Sequence, residues 1–260
     1  MKSAGLSPAG EVFFGTSRYL SRLGYEGPQT PTLSVLRELH ARHLRAVPFE
    51  NLDIHLGRPI ECDMNLFYEK IVIRGRGGFC YELNGLFAGL LRALGFEVSL
   101  LSGRVPSGSG ELGPEFDHMA LLVTAADRRM LADVGFGDCF LHPLHIDTDE
   151  LQPDAAGTFR IEERGDSRAV LRNDQLEYVF SLKPRELSEF APMCHYQQTS
   201  PDSSFTKKRV CSRATEDGRI TVMHDRIIET RNGVRTEIPL SNEAKWRAAL
   251  WTHFRLELEN

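Results

Sequence analysis

The apolar residues change their period along this chain, and that change limits the possible folds more than any other feature. In residues 33–46, LSVLRELHARHLRA, Leu33, Leu36, His40, His43 and Leu44 fall on one face of a helix, with Thr32 as its cap and Pro48 beyond its end. Residues 65–73, NLFYEKIVI, predict a short helix capped by Asn65. Residues 79–94 carry Leu83, Leu86, Phe87, Leu90, Leu91 and Leu94 at helical spacing, with Gly95 as the stop. Beyond that point short runs such as FEVSLL, HMALLVT, RMLADV, TFRIEE and LEYVFSL alternate with Gly, Ser, Asp and Pro, the pattern of antiparallel strands. The last third predicts strands at 208–214, 219–224 and 226–230 and a helix at 242–254 capped by Ser241. Helices, then strands, then a mixed segment predict an α+β chain in three parts, 1–95, 96–190 and 191–260.

Composition excludes several classes. The 260 residues are 41% hydrophobic and 26% charged, which suits a soluble globular chain, and the formal charge of -5 does not predict a nucleic-acid surface. The most apolar window, LFAGLLRALGF, contains Arg92 and is too short to span a bilayer. The N-terminus, MKSAGLSPAGEVFFGTSRYL, lacks the apolar run of a secretory signal, so a cytoplasmic location is expected. Five cysteines, at 62, 80, 139, 194 and 211, are odd in number and irregularly spaced, as expected of reduced thiols.

One of those cysteines has an unusual setting. In RGRGGFCYELN, residues 74–84, Cys80 follows Gly75, Gly77 and Gly78 and opens the strongest helical pattern. The stretch is not a phosphate loop, because no Gly-Lys-Ser/Thr follows, nor a dinucleotide fingerprint, because GRGGFC lacks the last glycine. A small buried thiol after a turn is one reading. An activated nucleophile is the other: a helix N-terminus lowers a thiol pKa, its free N–H groups can hold an oxyanion, and glycines allow close backbone approach.

A thiolate needs a base, and the base needs an orienting group. In FDHMALLV and MLADVGFG, His118 opens one predicted strand and Asp133 closes the next, across a turn at 126–129. In an antiparallel hairpin these positions are neighbours, which predicts a Cys80–His118–Asp133 triad.

At these residues the chain resembles the arylamine N-acetyltransferases. VPFENLDIHLG (47–57), RGGFCYELNGLF (76–87), DHMALLV (117–123), DVGFGD (133–138) and YVFSLKPRELSEF followed by YQQTSPDSSF (178–205) look like family segments in the family's order, from about residue 10 to the last helix. The resemblance implies an N-terminal helical bundle carrying the nucleophile, a central antiparallel β-barrel carrying His and Asp, and a C-terminal α/β lid, similar to the cysteine-protease-like superfamily. It implies acetyl transfer from acetyl-CoA to an arylamine or arylhydrazine through an acetyl-cysteine, with Cys80 as nucleophile, His118 as base and Asp133 as orienter. Arg76, Gly77, Gly78, Glu82 and Asn84 would support the loop. By the same resemblance Phe49, Phe136, Gly137 and Phe205 would line the substrate and CoA cleft, with the CoA diphosphate near the 135–137 turn or the 105–117 loop.

Other features point elsewhere less strongly. Lys207, Lys208 and Arg209 read as a solvated face before a phosphate contact. Cys139, His142 and His145 have metal-like spacing, but Pro143 breaks the helix that would align them, so no metal is expected. An amide synthase or a cysteine hydrolase on the same triad is the alternative activity, and neither nucleic acid nor membrane is an expected partner.

Overall fold

Helices start where a side chain can take up free N–H groups. In this computed structural model, which describes residues 15–258, the first helix, α1, runs Thr16–Arg22 and α2 runs Leu33–Ala46, with Thr32 accepting from Val35 N–H. The N-terminal segment up to residue 14, read above for targeting, lies outside the described residues. After a two-residue strand β1 (Phe49–Glu50) come α3 (Leu52–His55) and α4 (Met64–Tyr68), which widens into a π turn at Glu69–Ile73. The α4 cap is Asp63 rather than Asn65: its carboxylate accepts from both Asn65 and Leu66 N–H at 2.7 and 3.1 Å. Helix α5 (Cys80–Ala93) is buried almost all round, so its apolar pattern is wider than one face.

The middle of the chain forms β2 (Glu97–Arg104), β3 (His118–Ala125), β4 (Arg128–Ala132), β5 (Leu144–His145), β6 (Gln152–Asp154), β7 (Gly157–Arg164), β8 (Ser167–Arg172) and β9 (Gln175–Arg185). They make one antiparallel sheet in the order β5-β4-β3-β2-β9-β8-β7-β6 that curls into an almost closed barrel. The seam between its edge strands is bridged by Gln152, whose amide donates to His145 C=O and accepts from His145 N–H, as a further strand residue would. Strand β3 is buried on both faces. Leu121 and Val123 pack toward the helices, Ala120 into the barrel interior with Leu131, Phe159 and Phe180. That is why HMALLVT reads as an apolar run instead of an alternation.

The last part contains a 3₁₀ turn at Leu187–Phe190, α6 (Ala191–Thr199) and α7 (Ser204–Lys207), none expected from periodicity, because the segment is held by specific contacts more than by an apolar stripe. Strands β10 (Val210–Ala214), β11 (Gly218–Met223), β12 (Arg226–Arg231) and β13 (Val234–Pro239) form a meander, and β1 pairs with β10. Strand β13, unanticipated, is exposed along its whole length and lacks a buried face to mark it. Helix α8 (Glu243–Phe254) lies on β11 through Trp246 and Leu250, and its cap is Asn242, accepting from Lys245 N–H, not Ser241. No helix of the described residues is long and apolar enough to cross a membrane.

Candidate active site

The site forms where α5, the β3–β4 hairpin and the chain after β4 meet. A two-residue turn at Ala126–Asp127 sets the hairpin register with Leu121 opposite Ala132, so Asp133 emerges beside the start of β3. There His118 Nε2 lies 2.7 Å from Asp133 Oδ2, both side chains almost fully buried. The other Asp133 oxygen accepts from Asn84 Nδ2 at 2.9 Å and Gly135 N–H at 3.0 Å. Burial alone would raise this carboxyl; the charge and hydrogen bond of His118, with the Asn84 and Gly135 donors, outweigh it and hold the group below its ordinary value. Asn84 also donates to Met119 C=O at 2.5 Å and accepts from Val134 N–H at 2.9 Å. It stands one helical turn after Cys80, so a single amide ties the cysteine's helix to both strands of the hairpin.

Cys80 begins α5 and is 3% exposed. Burial pushes its thiol up; N–H groups of Met119 and Tyr81 at the sulfur oppose this, while the charges of Asp117 and Asp133 add to it. Left to itself the sulfur would keep its proton at neutral pH, so ionisation requires a nearby acceptor. Asp133 takes His118 Nε2, so Nδ1 is the ring nitrogen turned away from that carboxylate. Gly135 packs against the cysteine backbone: a methyl group there would lie 2.8 Å from Cys80 Cα. Strand β2 crowds the imidazole from the other side, through Gly103 opposite His118.

Two of the glycines before Cys80 allow the backbone to pack closely. A methyl group on Gly77 would come within 2.0 Å of Pro48 C=O, and one on Gly78 within 2.8 Å of Glu82. They let the loop lie against β1, where Glu50 N–H donates to Gly78 C=O at 2.8 Å. Only Gly75 needs a positive φ, +66°. Behind the loop Arg76 binds Glu50 at 2.7 Å and Asp53 at 3.0 Å, and Lys70 binds Asp53 and Glu82, both at 2.8 Å. Three carboxylates thus face two cations. Burial by itself would lower the Lys70 ammonium, but Glu82, Glu50 and Asp53 raise it above its ordinary value. Burial pushes the Glu82 carboxyl up to about 7, and Glu82 Oε2 accepts from Phe79 N–H at 3.1 Å at the start of α5.

Half-buried rings stand around this centre. Phe205 lies 6.2 Å from Phe49 and 5.8 Å from the Phe79 ring, and Gly137 faces Phe49. Phe136 meets His118 edge-on at 5.1 Å. Cavities of about 460 and 690 Å³ lie elsewhere, beside Arg172 and Arg219 and behind Arg76 and Glu82. Of the basic run, Arg209 is bound to Glu243 at 2.9 Å over the Trp246 ring, and Lys207 donates to Asp202 C=O. His142 faces Asp154 at 3.3 Å, and among the described residues no group of three or more His, Cys, Asp or Glu is placed to hold a metal.

Sequence reasoning missed several positioning groups. Asn51 holds Phe205 C=O, Lys208 C=O and Val210 N–H with one buried amide and so places Phe205. Gln197 donates to Asp117, next to His118, at 2.6 Å. Tyr178 packs 5.0 Å from His118, its hydroxyl facing Asp133 without reaching hydrogen-bond geometry. Asn51 was visible within FENLD; nothing in the local sequence marks the other two.

Cys80 and the His118–Asp133 pair are thus gathered, buried, between a helix and the antiparallel barrel of an α+β chain, and the comparisons with known proteins give its class. A family model described as N-acetyltransferase matches residues 32–260. An arylamine N-acetyltransferase of the Gallus gallus pineal gland is 36% identical over 225 residues, 77% of this chain and 78% of that protein. The Mycolicibacterium smegmatis arylamine N-acetyltransferase is 32% identical over 250 residues, 92% and 91% of the two chains. The structure of the Mycobacterium marinum arylamine N-acetyltransferase in complex with CoA superposes with a TM-score of 0.86 at 31% identity, covering 92% of each chain. The chain belongs to the arylamine N-acetyltransferase family and is an acyltransferase.

Proposed function

We propose that the protein carries an acetyl group from acetyl-CoA to the nitrogen of an arylamine or arylhydrazine by a ping-pong route through an acetyl-Cys80 thioester. The observation that carries this reading is the 2.7 Å contact of His118 Nε2 with Asp133, tied to the helix of Cys80 by Asn84. His118 Nδ1 takes the Cys80 proton, and Asp133 offsets the imidazolium charge. The thiolate adds to the thioester carbonyl. Backbone N–H groups of the first turn of α5, ahead of the first intrahelical bond from Leu83 N–H to Phe79 C=O, are the oxyanion donors. Collapse of the adduct breaks the C–S bond to CoA, whose sulfur receives the proton from His118. The amine then attacks acetyl-Cys80, His118 removes a proton from its nitrogen, and the Cys80 thiolate leaves. Phe49, Phe136, Gly137 and Phe205 form the wall against which pantetheine and the aromatic ring pack, in turn, because one sulfur serves both substrates. Five free cysteines suit a reducing cytoplasm.

Acetyl-CoA without amine is expected to add one acetyl group to the intact protein by mass spectrometry, and Cys80→Ala to add none. Parallel double-reciprocal plots are expected with both substrates. An acetyl group mapped to another cysteine, or intersecting lines, would overturn the route.

A further inference from the structure

His40 lies at the middle of α2, wholly buried, and the chemistry above does not use it. Its two ring nitrogens are nevertheless both engaged. Nδ1 sits 2.9 Å from Leu141 C=O, which can only accept, and Nε2 sits 3.0 Å from Asp133 N–H, which can only donate. The two partners together settle the tautomer: hydrogen on Nδ1, lone pair on Nε2. Burial lowers its pKa to about 4, helped by the charge of His142 and against smaller effects of the Leu141 bond and the Asp133 and Asp154 charges, so the ring is neutral at physiological pH. Outside the segment the ring holds, its titratable neighbours are His43, one turn along α2, Asp154, on β6, and His142. The ring is fixed in plane by stacking on Phe140 at 5.7 Å and 13°, with Phe87 against its edge at 6.1 Å.

One imidazole therefore ties together the two ends of residues 133–141. That segment carries Asp133 itself, Gly135, whose N–H holds the Asp133 carboxylate and whose backbone touches Cys80, and Phe136 against His118. We propose that His40 is a positioning residue for the triad, its Nε2 lone pair anchoring the Asp133 backbone so that the carboxylate meets His118 Nε2. This rests on the triad reading given above. The carboxylate leaves the backbone through a single Cβ, so a displaced Asp133 N–H moves Oδ2 directly.

Three substitutions separate the halves of the clamp. His40→Phe keeps the ring and its stacking but loses both hydrogen bonds. His40→Gln places an amide oxygen near the Nε2 position, toward Asp133 N–H. His40→Asn places an amide N–H near the Nδ1 position, toward Leu141. Each is measured by thermal melting, by single-turnover acetylation, and by the pH–rate profile of Cys80 alkylation with iodoacetamide. In the folded Phe variant, acetylation is expected to fall about 10–100-fold, the range for losing a group that orients a functional side chain. Its alkylation profile should shift to higher pH, because a misplaced Asp133 supports the imidazolium less and the thiolate becomes rarer. Gln should recover both readouts, and Asn should recover melting temperature without them. If the Phe variant does not fold, the Gln and Asn pair decides. A folded Phe variant with wild-type rate and alkylation profile, or Asn recovering as fully as Gln, would overturn the proposal. Absence of acetyl transfer in the wild-type protein would instead overturn the triad chemistry, while the alkylation profiles would still rank the variants.

Discussion

Asp133 is 1% exposed, yet its carboxyl is held low by three donors, so its negative charge is built into the fold. Asp133→Asn keeps the shape and removes that charge; the amide also offers an N–H where His118 needs an acceptor. Acetylation of Cys80 is expected to slow by roughly 10²–10⁴. Alkylation of Cys80 by iodoacetamide near neutral pH should slow as well, because the thiolate loses its counter-ion. A folded variant, verified by melting, that alkylates at the wild-type rate would show that the carboxylate is structural only. At this scale the sequence was informative where chemistry and spacing coincide: Cys80 behind glycines, His118 and Asp133 at adjoining strand ends. It was silent for His40 and Gln197, because a polar residue on a buried face carries no local mark of the partner it meets far along the chain.

Turn and loop conformations decide how the elements meet. The β3–β4 hairpin turns at Ala126 and Asp127, both at positive φ, 49° and 59°, whereas the β12–β13 hairpin uses Asn232–Gly233, the pair such a turn prefers. A non-glycine residue in the left-handed region costs about 1–2 kcal/mol. Asp127→Gly should therefore stabilise the protein by about 1 kcal/mol in urea unfolding, with activity retained; an unchanged or lower midpoint would show that this turn carries no strain. Gly77 is the opposite case. Its added methyl would meet a backbone oxygen that has no rotamer to escape with, so Gly77→Ala should destabilise by about 1–3 kcal/mol. It should also slow Cys80 acetylation by moving the start of α5. A Gly77→Ala protein with the wild-type midpoint would mean that the loop can lift from β1 freely.

Over the whole molecule, two buried groups, His40 in α2 and Glu82 in α5, respond to acid in opposite directions. The folded pKa of His40, about 4, lies below its ordinary 6.5, so its contribution is complete above pH 6.5 and is lost as pH falls toward 4. The folded pKa of Glu82, about 7, lies above its ordinary 4.5, so its contribution is complete below pH 4.5 and is lost as pH rises through 7. Between pH 7 and pH 5 each changes stability by about 2 kcal/mol, in opposite directions. Asp133 and Asp53, held below 3.8, do not titrate in this window. His43, also buried and held well below its ordinary value, adds to the loss from His40 on acidification, so Glu82 is read from the difference between two proteins: Glu82→Gln should lose about 2 kcal/mol more than the wild type on going from pH 7 to pH 5, as read by urea midpoints, and parallel behaviour of the two would show that Glu82 is ionised throughout. The α+β class, the passage from helices to strands and the candidate triad residues were legible in the sequence alone, because period, turn residues and reactive side chains are local properties. The barrel closure at Gln152, the pairing of β1 with β10 that brings Phe49 to Phe205, and the clamp of His40 on Asp133 were decided only by the tertiary structure, because each depends on hydrogen bonds and burial between segments far apart in the chain.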